Sequence, residues 1–597
     1  MLVLPPPESD ISILTIEGCL TVIGAAAAFA WPRLGSPLFL RIEHAFGRLA
    51  RRQSISVLVV GLTALLLRLA ILPFCPIPLP FVPDDFSFLL SADTFAHGRL
   101  TNPTPPMWIH FESIHITMQP TYMSMYFPSE GLVMAASQVL LGQPWFGLLL
   151  MSALMCAAIC WMLQAWLPPT WALLGGFLAI LRLGLFTYWI NTYHSAGSIA
   201  AFGGALVLGS LPRLMKSPAI RHRDALLLAV GIIVLATTRP YEGLLLCFPV
   251  AVVLGRWLLF GKNRPAVSVL IRHAALPVAL MVAAGSWMAY YDYRAFGSPT
   301  TLPYTVDRQA YAMAPYFVWQ HARPEPAYRH PVMREFYYKG ELAELRNYRS
   351  VPRALSESFL KIVRALLFFS GIALLPLLFM FRRVILDRRL GFLKLGVLVL
   401  SAGMLIQFFL IPHYLAAFTA SFYALGLQAM RHMRVWKPEG KPVGLALVRM
   451  MVTICIVMAG VRLFAVPLRL RIPERPASEW NFQWYGPLRF GTERAEMAAA
   501  LERMPGKQLV IVRYSPKHDS FNEWVYNSAD IDGSKVIWAR EMSPGNNVNQ
   551  NAGSNSDPNA ELIRYYKDRQ VWLAEPDATP AKLSQYPMPS NLAAASH

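Results

Sequence analysis

Apolar runs and polar breaks alternate along most of this chain, and the runs are long. About twelve reach or approach the ~20 apolar residues that a helix needs to cross a bilayer. They lie near 12–32, 55–75, 144–165, 169–187, 193–211, 224–239, 241–260, 268–290, 357–380, 391–411, 413–430 and 444–467. Most connections are short, but two are long, 76–143 and 291–356. From Arg471 onward the chain turns polar, with short strand-like runs at Leu509–Val512, Val536–Trp538 and Val571–Leu573 and a helix-like stretch near 558–567. The pattern predicts an all-α polytopic membrane protein of about 12 transmembrane helices over 1–467. A small C-terminal α/β domain over 468–597 follows it.

Composition agrees: 55% of the 597 residues are hydrophobic and only 15% charged, far from the balance of soluble domains. The net charge of +19 raises the possibility of a nucleic-acid partner, which its distribution removes. The basic residues sit in short clusters between apolar runs: Arg33, Arg41, Arg48, Arg51 and Arg52; Arg213, Lys216, Arg221 and Arg223; Arg256, Lys262 and Arg264; Arg382, Arg383, Arg388 and Arg389; Arg431, Arg434, Lys437 and Lys441. The positive-inside rule assigns all five to the cytoplasmic side of an inner membrane. Both long loops and the tail then lie on the periplasmic or extracytoplasmic side, provided that the weakly apolar stretch 129–142 is not a full crossing. The N-terminus lacks a basic region followed by a small-residue cleavage site, so the first run reads as a retained helix. All six cysteines lie in or beside apolar runs, which indicates neither a disulfide framework nor a zinc site.

The candidate chemistry collects in the expected outer segments. Pro83-Asp84-Asp85-Phe86 opens the first long loop, and two adjacent carboxylates there suit general-base or cation-binding work. The plainer alternative is that they cap a following helix, Phe86–His97. Glu112 lies further along, and then comes Tyr126-Phe127-Pro128-Ser129-Glu130-Gly131, a turn leading into a helix. Tyr188, Asn191, Tyr193 and His194 fall in one short turn, Arg239, Tyr241 and Glu242 in a second, and His413 and Tyr414 in a third. The second long loop adds Tyr304, Arg308, Tyr311, Trp319, Gln320 and His321, residue types that suit sugar faces and phosphates. Polar residues at span ends are also ordinary interfacial anchors. Their convergence on one side points to a site at the outer membrane surface.

In this order the features resemble the GT-C superfamily of polyprenyl-phosphate-sugar-dependent glycosyltransferases, which includes protein O-mannosyltransferases, the lipid A aminoarabinose transferase and lipopolysaccharide-core galacturonosyltransferases. The resemblance covers approximately 55–430 and is carried by Asp84-Asp85, by Glu112 as a second acidic position, and by the Tyr126–Gly131 turn. That turn departs from a Tyr-Pro-Pro-Gly pattern at Ser129 and Glu130, and the helix at 12–32 precedes the family's usual first helix. The resemblance implies an inverting transfer of a sugar from a polyprenyl-phosphate donor to a lipid, glycan or protein acceptor. Asp84 is the expected general base, and Arg239 and His413 are expected to stabilise the leaving phosphate. Tyr126, His194, Glu242 and Tyr414 join them as substrate-binding candidates. Asp85 and Glu112 are suited to hold the acceptor, or a Mg²⁺ or Mn²⁺ ion.

Two other classes compete. A transporter or flippase of a lipid-linked or polar substrate places ionisable residues at mid-membrane, and Arg68 and Arg182 fall within expected spans. A non-catalytic receptor would rest on the tail, whose aromatics Trp480, Trp484 and Trp524 read more simply as core or membrane-facing contacts.

Overall fold

The computed structural model describes residues 12–194, 196–216, 221–261, 264–470, 491–542 and 557–587. Trp480 and Trp484 lie outside them. The chain forms two compact units. The first is Met1–Pro78, Trp145–Trp287 and Val351–Leu488; the second is Leu79–Pro144, Met288–Ser350 and Arg489–His597.

The first unit is helical. Seven helices in the described residues are long and apolar enough to cross a membrane: Ile13–Ala30, Gln53–Ala70, Trp145–Trp166, Gly197–Lys216, Pro240–Phe260, Val267–Phe296 and Val443–Leu463. Counting Val351–Ser370 and Leu375–Leu386, bent by 110°, as one broken span gives eight. This makes a helical membrane protein, with fewer full-length spans than the apolar runs suggested. Four expected spans are realised as shorter or interrupted helices. The run at 169–187 is Pro169–Ala179 followed by a π turn at Ile180–Gly184. Those at 224–239 and 391–411 become His222–Ala236 and Gly391–Leu405. That at 413–430 is a 3-10 segment, Pro412–Phe418, continued by Thr419–Arg434. A 15-residue helix is about 22 Å long, short of the ~30 Å hydrocarbon core.

A buried ion pair explains part of this irregularity. Arg182, inside the π turn, donates to Glu17 at 3.1 Å, and both side chains are almost wholly buried. Glu17 also accepts from the Ala373 amide at 3.2 Å, just past the break that follows Ser370. Gly371 sits at that break with φ +61, and a Cβ on it would meet the Arg182 guanidinium and the Glu17 carboxylate at 2.4 Å. Only glycine admits both the backbone conformation and the charge pair. Arg68 is equally engaged. It donates to Cys75 O at 2.9 Å and Asn191 Oδ1 at 2.9 Å and stacks over Trp145.

The second unit gathers both long loops and the tail. The first loop supplies the helices Pro83–Ala96 and Pro128–Leu141 and a three-stranded antiparallel sheet ordered β1-β3-β2, made of β1 Asn102–Pro103, β2 Ile116–Thr117 and β3 Thr121–Ser124. At 14 residues the helix Pro128–Leu141, which holds the weakly apolar stretch, is about 21 Å long, too short to cross. Gly131 is the close-approach point between the two helices, since a Cβ there would lie 2.2 Å from Ser91 Oγ.

The tail forms a sheet ordered β5-β4-β6-β7, with β4 Lys507–Val512 parallel to β5 Val536–Arg540 and β6 Arg569–Glu575, and β7 Lys582–Gln585 antiparallel at the edge. The expected strands and the helix, Pro558–Tyr565, are all present. Alternation along β4 feeds two cores, as a central parallel strand requires. Leu509 and Ile511 join Phe86, Phe111, Tyr122 and Tyr526, whereas Val510 and Val512 join Leu501, Trp524 and Trp538. Trp524 is therefore a core residue. Phe86 stacks face to face on Tyr526, with ring centroids 4.4 Å apart.

Candidate functional site

Pro83 occupies the first turn of its helix, where its missing N–H costs nothing. That sets the two aspartates on different tasks. Asp85, at the third helical position, folds back so that Oδ2 accepts from the Phe81 and Val82 amides at 3.1 and 3.4 Å, and it is fully buried. It satisfies donors that the helix start leaves open. Asp84 turns the other way. Its side chain keeps 26% exposure, the Tyr126 hydroxyl donates to its Oδ1, and His115 Nδ1 lies 3.5 Å from its Oδ2. The Tyr126 hydroxyl is also 3.1 Å from His115 Nδ1, so the three polar groups form a closed triangle.

Packing fixes this triangle. Phe88, one turn after Asp84, stacks on the Tyr126 ring at 4.2 Å, and Tyr304 meets that ring edge-on at 5.5 Å. His115 holds φ +63, a left-handed conformation uncommon outside glycine. Its carbonyl accepts from Ser87 Oγ at 2.7 Å, and its ring abuts Phe336. Burial alone would lower the His115 pKa. The Asp84 carboxylate, helped by Asp307 and Glu341, more than offsets this and raises it above 6.5. Asp307 is completely buried, with Oδ2 reached by the Tyr337 hydroxyl at 3.4 Å and Oδ1 without a hydrogen-bond partner. Burial pushes its pKa up to about 6. Beside it Arg308 grips Glu341 in a two-pronged pair at 3.1 and 3.0 Å.

Glu112 belongs to a different network of the same unit. Its Oε1 accepts from Tyr311 OH at 3.0 Å and Arg329 Nη1 at 3.1 Å, and its Oε2 is 3.5 Å from His330. Its carbonyl accepts from Arg540 Nη2, which also binds Glu523 at 2.6 Å. The carboxylate is 3% exposed, and burial raises its pKa despite the nearby Arg329. The structure thus places Glu112 as a tie between the first loop, the second loop and the tail, with its carboxylate buried.

The remaining candidates lie in the first unit as one connected group. Arg239 lies over the Tyr414 ring at 4.8 Å and donates to Glu242 at 3.5 Å. The Tyr414 ring packs against that of His413. His413 Nδ1 is 2.9 Å from the Tyr188 hydroxyl, whose ring stacks on His194. Asn191 is instead a partner of Arg68.

The residues expected to hold a divalent cation do not fit one. Asp85 has Oδ2 in its own helix cap, Glu112 has Oε1 against Arg329 and Tyr311, and among the described residues no group of three or more His, Cys, Asp or Glu side chains is arranged around a metal position. Asp85, the expected metal ligand, serves its own helix cap, and no step below runs through a metal.

Sequence reasoning missed His115, Asp307 and the Arg308–Glu341 pair as a set. His115 is one of three histidines in the first long loop, with no motif around it, and only the β2–β3 pairing carries it back to Asp84.

No family model matches the sequence, and no curated protein matches it. Among solved structures the chain is similar to ArnT from Cupriavidus metallidurans in the apo state, at 10% identity and TM-score 0.44, over 88% of this chain and 93% of that one. It is similar to the same protein bound to undecaprenyl phosphate, at 10% identity and TM-score 0.43, over 87% and 92%. An oligosaccharyltransferase from Archaeoglobus fulgidus, tethered to an acceptor peptide, aligns at 12% identity and TM-score 0.41 over 87% of this chain and 68% of its own.

Proposed function

We propose that this membrane protein is a glycosyltransferase that moves a sugar from a polyprenyl-phosphate donor to an acceptor hydroxyl or amine at the outer face of the membrane, with inversion at the anomeric carbon. The observation that carries the reading is Asp84. It is a part-exposed carboxylate at a helix start, held by the Tyr126 hydroxyl and backed by His115. In this reading Asp84 takes the acceptor's proton as the acceptor attacks the anomeric carbon and the bond to the donor phosphate breaks. Tyr126 fixes the carboxylate's orientation, and His115, whose pKa Asp84 raises against the effect of burial, lies beside it. Tyr304, in the same unit as Asp84, is of a type that suits a sugar face; Arg239 and His413, taken by themselves in the first unit, are of types that suit a phosphate.

The transporter alternative rested on Arg68 and Arg182. Both are tied into the helical framework, Arg182 by a buried ion pair with Glu17 and Arg68 by carbonyl and amide oxygens, so neither favours it.

The experiment is to place the full chain in lipid nanodiscs, offer a panel of polyprenyl-phosphate sugars, and follow donor consumption by mass spectrometry. Consumption by wild type that Asp84→Asn abolishes supports the reading. Equal consumption by a folded Asp84→Asn protein removes Asp84 as base, and no consumption of any donor removes the class.

A further inference from the structure

Two of the five basic clusters meet in the first unit. The segment after the helix Phe381–Leu386 and the C-terminal end of the helix Thr419–Arg434 border an open cavity of about 450 Å³ lined by Trp171, Asp387, Arg389, Arg431, His432 and Arg434, among others. Its volume lies within the range of small-molecule sites. Its charge does not balance, since three guanidinium groups share it with one carboxylate.

That carboxylate is already engaged. Asp387 Oδ1 accepts from the Arg389 amide at 2.9 Å, and Oδ2 accepts from the Gln428 side-chain amide and lies 3.2 Å from His432 Nε2. Gln428, so fixed, accepts from Arg431 Nη1 at 2.7 Å and orients that guanidinium. Among the described residues the ion pair of Arg434 is with Glu43, at 3.9 Å and with 48% of the Arg434 side chain exposed, a contact of little energetic weight. Among the described residues no carboxylate lies within ion-pair distance of the Arg389 or Arg431 guanidinium. Asp387 therefore acts as a support that positions donors and leaves the excess positive charge for a ligand.

We propose that this cavity binds a phosphate-bearing anion of the kind an acidic lipid headgroup presents at the Arg-rich face of the membrane. Planar guanidinium groups match phosphate oxygens two at a time, and basic pockets between membrane helices suit anionic headgroups. Trp171, at the start of the helix Pro169–Ala179, is the residue type that settles at headgroup level. The inference is independent of the transferase reading and involves none of its residues.

The test uses the full chain purified in detergent, with dioctanoyl phosphatidylglycerol as probe and native mass spectrometry as readout. Arg389→Gln/Arg431→Gln is expected to weaken retention roughly tenfold or more, the scale of lost charge-assisted hydrogen bonds. Arg382→Gln/Arg383→Gln, outside the cavity lining, is expected to retain the probe as wild type does. Excess inorganic phosphate separates the sources: retention that resists it identifies a lipid headgroup, and displacement identifies a soluble phosphoanion in the same site. Undiminished retention by the cavity variant, or equal loss in the control pair, overturns the proposal. Arg389→Gln alone, which removes an exposed guanidinium with no hydrogen-bond partner among the described residues, keeps the test decisive if the double variant folds poorly.

Discussion

Asp84 and Asp85 are adjacent in the chain, yet one carboxylate accepts the Tyr126 hydroxyl while the other closes onto the backbone amides of Phe81 and Val82. Helix geometry forces the divergence, because neighbouring side chains at a helix start point about 100° apart. Of the two readings of this dipeptide, the helix cap falls to Asp85, and Asp84 is left to the role proposed above.

The division predicts separable losses. Asp84→Asn is expected to lower transfer by roughly 10²–10⁴-fold, the usual worth of a positioned general base, with little change in thermal stability. Asp85→Ala is expected to cost about 1–2 kcal/mol of stability through the lost cap. Donor turnover and thermal melts of the two variants in the same nanodiscs check the split. Equal melting temperatures would remove the capping role of Asp85.

His115 predicts a pH dependence. Its pKa in the folded protein is raised above the ordinary 6.5, so the folded state holds the proton more tightly than the unfolded chain does. The associated stabilisation is complete below pH 6.5 and is lost as pH rises through the raised value. His115→Gln lacks this contribution. The stability gap between wild type and His115→Gln should therefore be widest near pH 6 and shrink toward pH 9, as read from melts across that range.

Asp307 carries the opposite consequence. A buried carboxylate pushed from 3.8 to about 6 penalises the fold wherever it must ionise. The penalty is absent below 3.8, grows through pH 6 and is constant above it. Asp307→Asn should stabilise the protein by about 1–3 kcal/mol at pH 8 and gain progressively less as pH falls toward 4. Destabilisation at pH 8 would show that the charge is used.

Glu112 should behave as structure. Glu112→Ala removes a buried acceptor for Tyr311 and the part-exposed Arg329 and is expected to cost about 1–3 kcal/mol, the scale of leaving a buried donor unsatisfied. Limited proteolysis should then cut the second loop, near Arg329, faster than in wild type. An unchanged melt with lost turnover would return Glu112 to the chemistry.

The parts of this organisation that were legible in the sequence are those with local causes. Pro83 and Pro128 mark helix starts through their fixed φ, and Tyr126 and Asp84 advertise their chemistry by type and by place in the loop. The strands of the tail followed from alternation and apolar runs. What stayed hidden depends on partners far along the chain. Hydropathy counts Arg182 as a blemish in an apolar run; its partner Glu17 lies 165 residues earlier, and the π turn at Ile180–Gly184 and the break after Ser370 both lie beside that pair. His115 reaches Asp84 only through a strand pairing, and Arg308 meets Glu341 across a loop with no periodicity to announce it.

Arg540 contacts the carbonyl of Glu112, a residue 428 positions earlier, and Tyr526 stacks on Phe86, two residues after Asp84. The shell around the proposed base is therefore finished by the part of the chain that the ribosome makes late. During synthesis the early carboxylates wait, with their eventual neighbours not yet translated, and a nascent chain interrupted before Arg540 holds Asp84, Tyr126 and His115 yet lacks the residues that lock their surroundings. Competence for the proposed chemistry thus waits on the synthesis of the segment that carries Tyr526 and Arg540.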